Sequence, residues 1–272
     1  MDPNPQGRQM ADESMVRTLS AQAEAIWPQE LPLLRRYDVP EAPRILDAGC
    51  GTGEAARRLA GAFPRATVLG VDILEVHLER ARAATAHLAD RVAFEHGSLF
   101  SLDVPDASFD LVACRHVLQA VPHAERAIAE LVRVTRPGGW IHLIAEDYAL
   151  IQMPSRRFDH TRSWPEIAAA FGGGVGTDMF VGRRAPAILA DLGVRSVTVD
   201  LVLVDTLRVP RETFAAIWEA WRDGFSDAIA QHSAYSREEV VARFDDQIAA
   251  IRDPAAYASW IVPVVAGRRP PP

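Results

Sequence analysis

The period of the apolar positions changes along the chain. From Ser14 to Leu34, Met15, Leu19, Ala23, Ile26 and Trp27 recur at three- and four-residue spacing, which predicts a helix or helix pair ahead of the main fold. From Arg44 short apolar runs alternate with amphipathic stretches: RILDA, TGEAARRLAGAF, TVLGVD, LEVHLERARAATAHL and VAFEHG, then FDLVAC, AERAIAELVRVT and WIHLIAE. That alternation predicts a parallel sheet built from β-α-β units. The last helix and strand are joined by Arg136-Pro137-Gly138-Gly139, where proline stops the helix and the glycines supply a turn.

After Glu146 the pattern fades until about Gly182, and the cluster FGGGVG predicts a mobile loop over a site. A helix over Ala185–Leu192 and a strand over Ser196–Val204 follow. Between Thr213 and Ile251 the chain is helical again: Phe214, Ile217, Trp218, Trp221 and Phe225 share one face, and a second helix starts near Ser236 with Glu238 and Glu239 in its first turn. Trp260 to Ala266 reads as a final strand before the RRPPP tail.

Composition narrows the class. A chain of 272 residues, 49% apolar, buries a sizeable core without disulfides or metal clusters, as one large domain or a domain with a cap. Cys50 and Cys114 form no C-x-x-C or Cys/His spacing, so neither a zinc module nor a disulfide framework is expected. The N-terminus lacks an apolar signal region and no run reaches the roughly 18 apolar residues of a membrane span, which predicts a soluble cytoplasmic protein. All 29 basic residues are arginines, which removes enzymes that depend on a lysine amine, P-loop hydrolases among them. The net charge of -7 opposes a nucleic-acid partner and makes a small substrate the default.

The chemistry concentrates in Ile45-Leu46-Asp47-Ala48-Gly49-Cys50-Gly51-Thr52-Gly53-Glu54, a strand running into three alternating glycines and a helix. Such a turn lets backbone N–H groups approach a ligand. Asp72, at the end of the next strand, is placed to accept hydrogen bonds from both hydroxyls of an adenosine ribose. The G-x-G-x-G spacing departs from the dinucleotide fingerprint, and Asp47 would repel a pyrophosphate yet attract an ammonium.

From Arg44 to Asp147 the sequence resembles the class I S-adenosylmethionine-dependent methyltransferases, and more weakly to Val204. The resemblance implies S-adenosylmethionine as cofactor and a Rossmann-like methyltransferase fold: an α/β, doubly wound, seven-stranded, mostly parallel sheet whose last strand is antiparallel. Residues 1–43 would form an N-terminal helical lid, 44–204 the cofactor-binding core, 205–255 a helical cap inserted between the last two strands, and 256–272 the final strand and tail. By the same resemblance Asp47 and the carbonyl near Gly49 would hold the methionine amino group, the turn at Gly51 would admit the cofactor, and Asp72 would hold the ribose with Ile73 packed on the adenine. Ser98 stands where the family usually has an aspartate, so the adenine contact would fall to Ser98 and the Leu99 backbone. Arg115, with Cys114 and His116, would sit under the methionine moiety.

His116 faces cofactor or substrate, or else is a capping or hydrogen-bonded core residue; His116 or Glu146 is the candidate base. Glu146 and Asp147 end the fifth strand on the ligand-binding side, where one of them reaches substrate, and no metal is expected because no cluster of ligands accompanies them. The aromatic face with Trp218 and Trp221 is either buried core or a wall for a flat or cationic substrate. Tyr148, Phe158, His160 and Trp164 either line the same pocket or pack within the loop. The expected activity is methyl transfer to a nitrogen, oxygen or carbon of a small organic molecule such as a specialised metabolite. A nucleic-acid or protein methyltransferase, a non-catalytic S-adenosylmethionine-binding partner and an NAD-dependent oxidoreductase stay open, and oligomeric state is not legible.

Overall fold

The computed structural model describes residues 4–271, so the first three residues of the polar leader and the last proline of the tail lie outside it. The chain opens with α1 (Gly7–Met10) and α2 (Glu13–Leu34), then builds β1 (Arg44–Ala48), α3 (Glu54–Ala62), β2 (Thr67–Asp72), α4 (Glu75–Ala84), β3 (Val92–His96), β4 (Phe109–Arg115), α5 (Ala124–Val134) and β5 (Thr135–Ile144). After these come β6 (Ile151–Gln152), α6 (His160–Val175), α7 (Ala185–Asp191), β7 (Arg195–Asp205), α8 (Arg211–His232), α9 (Arg237–Arg252) and β8 (Ser259–Arg268).

The strands form one sheet in the order β3-β2-β1-β4-β5-β8, with β7 along the outer side of β8. The first five are mutually parallel and β8 is antiparallel to both neighbours. β1 and β4 are buried almost throughout, as expected of central strands covered on both faces. Alternation sorts their side chains: Val112 and Cys114 join the core under α5 and α7, whereas Leu111 and Ala113 join the core under α3 and α4.

Two expectations are corrected. The sheet has an eighth strand, because Ile151–Gln152 pairs with Trp260 and Ser259 at the end of β8 beyond β5. The FGGGVG cluster is no loop: Gly172, Gly173 and Gly174 lie in α6 and Gly176 caps its C-terminus, and a Cβ at Gly172 would fall 2.7 Å from Met179 and one at Gly174 2.4 Å from His232. Close packing requires Gly172 and Gly174, whereas a Cβ at Gly173 would meet open space. The Arg136–Gly139 turn does leave the ladder, since the register jumps from Phe109↔Thr135 to Leu111↔Trp140.

Helix α2 begins at Asp12, whose carboxylate accepts from the Ser14 N–H at 2.8 Å, and buries Met15, Ala23, Ile26 and Leu34. It is seated against the outer edge of β7, where the Gln29 amide donates to the Leu203 carbonyl at 2.7 Å and accepts from the Leu203 N–H at 3.1 Å. Helix α9 starts in a capping box formed by Ser236 and Glu239. Among the described residues no helix is long and apolar enough to cross a membrane.

Because β1 to β5 are parallel, their C-terminal ends share one edge of the sheet. The order reverses between β1 and β4, and the crevice outside that reversal is where open α/β sheets bind ligands. Asp47, Asp72, Ser98, Arg115, His116 and Glu146 all fall at or just after these ends.

Candidate active site

The turn after β1 is made by glycines in the left-handed region, with φ of 75° at Gly49, 51° at Gly51 and 78° at Gly53. A Cβ at Gly49 would lie 2.4 Å from Val117. The turn is fastened to β2: Asp72 accepts from the Gly51 N–H at 2.8 Å and from the Leu74 N–H at 2.9 Å. The two ends that must hold one ligand are thereby fixed together.

Asp47 lies beside this turn, 1% exposed, with Oδ2 lacking any partner. Burial pushes its carboxyl up to about 7, although the Arg115 charge opposes that shift. Arg115 is held by α2, its Nε and Nη2 donating to the two oxygens of Glu30 at 2.8 and 2.7 Å. His142 joins Glu30 through Nε2 at 3.0 Å, and the Tyr37 hydroxyl bonds His142 Nδ1 at 2.7 Å. Burial would raise the Glu30 carboxyl, but Arg115 and His142 outweigh it and hold it at about 2.

His116 follows β4 with φ of 57°, an uncommon conformation for a residue with a side chain. Its N–H donates to the Ile144 carbonyl at 3.0 Å and its own carbonyl accepts from Gln119 Nε2 at 2.7 Å. Nδ1 is hydrogen-bonded to Glu146 Oε1, both residues being buried, while Nε2 has no partner. A Glu146 carboxylate accepting from Nδ1–H leaves Nε2 with its lone pair free, the arrangement of an oriented general base.

Two cavities meet at this ring. One, of about 690 Å³ including its mouth, is lined by Gly49, Gly51, Asp72, Ile73, Ser98 and Arg115 among others. The second, of about 710 Å³, is lined by Tyr148, Trp164, Phe171, Trp221, Phe225 and Phe244 among others. Met10, Leu19, His116 and Ala120 line both. A third space, which Asp47, Gly49, Cys50 and Arg115 help to line, also reaches His116.

Residues 45–139 match the family model described as "Methyltransferase domain". Over these residues the chain is similar to methyltransferase domains. Among curated proteins, the methyltransferase core is similar to 27-O-demethylrifamycin SV methyltransferase of Amycolatopsis mediterranei, with 42% identity over 114 residues, 41% of either chain. It is also similar to trans-aconitate 2-methyltransferase of Variovorax paradoxus, with 34% identity over 138 residues, 51% of this chain and 49% of that one. The match therefore spans less than half the length of these relatives. Among solved structures, phosphoethanolamine N-methyltransferase 2 of Haemonchus contortus in complex with S-adenosyl-L-methionine superimposes with a TM-score of 0.57 at 19% identity, over 97% of this chain and 60% of that one, which speaks for the fold.

Around the methyltransferase core the structure brings most of the sequence-predicted residues together. Asp47, Gly49, Gly51, Asp72, Ile73, Ser98, Leu99, Arg115 and His116 line the connected spaces, and Tyr148, Trp164 and Trp221 line the second cavity. Three candidates lie elsewhere. Trp218 is fully buried and donates Nε1–H to Gln247 at 2.8 Å, so it is core between α8 and α9. Phe158 sits under the guanidinium groups of Arg157 and Arg243, away from the cavity. His160 is bound to Asp246 at 2.7 Å and joins α6 to α9. Cys114 is fully buried in the sheet. Glu146 reaches no cavity directly and acts on His116, while Asp147 turns to Arg183 with two hydrogen bonds of 2.7 Å.

Sequence reasoning missed Glu30, Gln22, Gln119, Phe171 and Phe244. Glu30 had a signal: it falls on the stripe Ala23, Ile26, Leu34 of α2, where an acid without a partner would be costly.

Proposed function

We propose that this protein is an S-adenosylmethionine-dependent methyltransferase acting on a small organic molecule. The observation that carries the reading is His116, oriented by Glu146, which lines both cavities and whose Nε2 has no partner. The residues fit the cofactor: a buried, unpartnered Asp47 oxygen suits an ammonium, and Gly49 and Gly51 of the turn line the first cavity. Asp47 would hold the amino group, Arg115 the carboxylate through the Nη1 that its pair with Glu30 does not use, and Asp72 the ribose hydroxyls. Ile73, Ser98 and Leu99 would enclose the adenine.

When bound, S-adenosylmethionine supplies a methyl group activated on a sulfonium. The protein's part is alignment, exclusion of water and, for an acceptor that must lose a proton, a base. His116 Nε2 is that base, and Glu146 fixes its tautomer and stabilises the imidazolium. Residues 1–43 act as a lid, since Met10 and Leu19 close both cavities, and 205–255 act as a cap, since Trp221, Phe225 and Phe244 wall the acceptor space. A cavity lined mainly by apolar side chains in a chain of net charge -7 supports a small acceptor rather than nucleic acid.

Calorimetric titration with S-adenosylmethionine, with NAD in parallel, tests the cofactor. Binding of S-adenosylmethionine at roughly micromolar Kd, with none of NAD, supports the reading, and preference for NAD overturns it. Release of S-adenosylhomocysteine in an acceptor screen then separates an enzyme from a cofactor-binding partner protein.

A further inference from the structure

The second cavity carries information about the acceptor that the cofactor site does not. Among the described residues lining it there is no aspartate, glutamate or arginine, although charged residues make up 24% of the chain. Its wall is aromatic and aliphatic from five separate helices: Met10 of α1, Met15 of α2, Phe171 of α6, Trp221 and Phe225 of α8, and Phe244 of α9. A charged acceptor entering here would give up its hydration and meet no counter-ion, which the interior of a protein penalises heavily.

The polar side chains that line this space are Gln6, Gln22, His116, Gln119, Tyr148 and Trp164. Gln119 Oε1 and His116 Nε2 are buried acceptors without partners, and Trp164 Nε1–H is a buried donor without one. The Tyr148 phenol stays protonated, because burial, reinforced by the charge of Glu146, raises it well above its usual range. We propose that the acceptor is an uncharged, ring-bearing apolar molecule that offers a hydroxyl to His116, rather than an amine, a carboxylate or a phosphate ester. This rests on the methyltransferase reading and names the substrate class of that same site.

The step balances with groups already placed. As the acceptor oxygen forms its bond to the methyl carbon, the carbon–sulfur bond breaks with its electron pair left on sulfur, and the hydroxyl proton passes to His116 Nε2. Glu146 then faces an imidazolium, the form its charge favours.

The test is a set of calorimetric titrations on the full chain at pH 7, saturated with S-adenosylhomocysteine, using four compounds that share one ring system: 2-naphthol, naphthalene, 2-naphthoate and 2-naphthylmethylammonium. The expected result is that 2-naphthol binds about tenfold or more tightly than either ion, and more tightly than naphthalene, which lacks the hydroxyl. Either ion matching 2-naphthol, or naphthalene matching it, overturns the proposal while leaving the methyltransferase reading intact. Absence of binding by all four to a protein that does bind S-adenosylhomocysteine overturns it too. Failure of S-adenosylhomocysteine itself to bind overturns the underlying reading and the proposal together.

Discussion

The guanidinium of Arg115, at the end of β4, is gripped by both carboxylate oxygens of Glu30, a residue 85 positions earlier in α2. Both side chains are almost wholly buried. The helix that covers the cavities is thus tied, through one ion pair, to a residue that lines them.

Removing one partner of such a pair strands the other charge. Glu30→Gln should lower unfolding stability by roughly 3 kcal/mol and weaken S-adenosylmethionine binding, both measurable by urea titration and calorimetry. The Glu30 carboxyl titrates at about 2 in the folded protein and near ~4.3 in an unfolded chain. Its contribution is therefore complete above the unfolded value and lost as pH falls from there through about 2. An acid-unfolding curve with the same slope in wild type and Glu30→Gln would contradict this.

Asp47 has the opposite sign. Its carboxyl is raised to about 7 by burial, so ionisation costs the ligand-free fold stability as pH rises from the unfolded value, ~3.9, toward that point. Asp47→Asn should stabilise the ligand-free protein at pH 8 by roughly 1–3 kcal/mol, the cost of an unsatisfied buried group, while weakening S-adenosylmethionine binding. A variant that loses on both counts would show that Asp47 is paired within the apo fold.

The His116–Glu146 pair predicts a rate effect. With an acceptor that loses a proton, His116→Ala should cut turnover by about 10²–10⁴ with S-adenosylmethionine affinity nearly unchanged. Glu146→Gln should lower kcat and alter its pH profile, because the amide cannot stabilise an imidazolium. Wild-type turnover in both variants would remove the pair from the chemistry.

Two neighbouring glycines of α6 separate packing from propensity. A Cβ at Gly173 meets nothing within 4 Å, so Gly173→Ala should raise stability by up to about 1 kcal/mol through helix propensity alone. At Gly174 the same methyl would stand 2.4 Å from His232, and Gly174→Ala should lower the melting temperature. Equal shifts in the two variants would mean that α6 does not pack on α8 as described.

Trp218 and Trp221 divide the aromatic face of α8. Trp218→Ala removes a fully buried ring and should cost roughly 3–5 kcal/mol of stability. Trp221 lines the acceptor cavity, so Trp221→Ala should act more strongly on acceptor binding than on unfolding. Denaturant unfolding and probe titration of both variants check the division.

What the sequence determined was local or set by strand order. RILDAGCGTG announced a strand, a glycine turn and a helix because each step is written in neighbouring residues, and Asp72 followed because the next strand in a β-α-β unit lies alongside the first. Only the tertiary structure decided what each apolar face packs against. Periodicity showed that Phe214, Trp218 and Trp221 share a stripe, yet α9 buries Trp218 while Trp221 is left on a cavity wall. The glycine cluster signalled permissive backbone and could not show that His232 fills the space above it. Glu30 with Arg115, and His116 with Glu146, are separated by 85 and 30 residues. Contacts at such range leave no imprint on spacing, because they exist only once the sheet has brought its strand ends to one edge and α2 has closed over them.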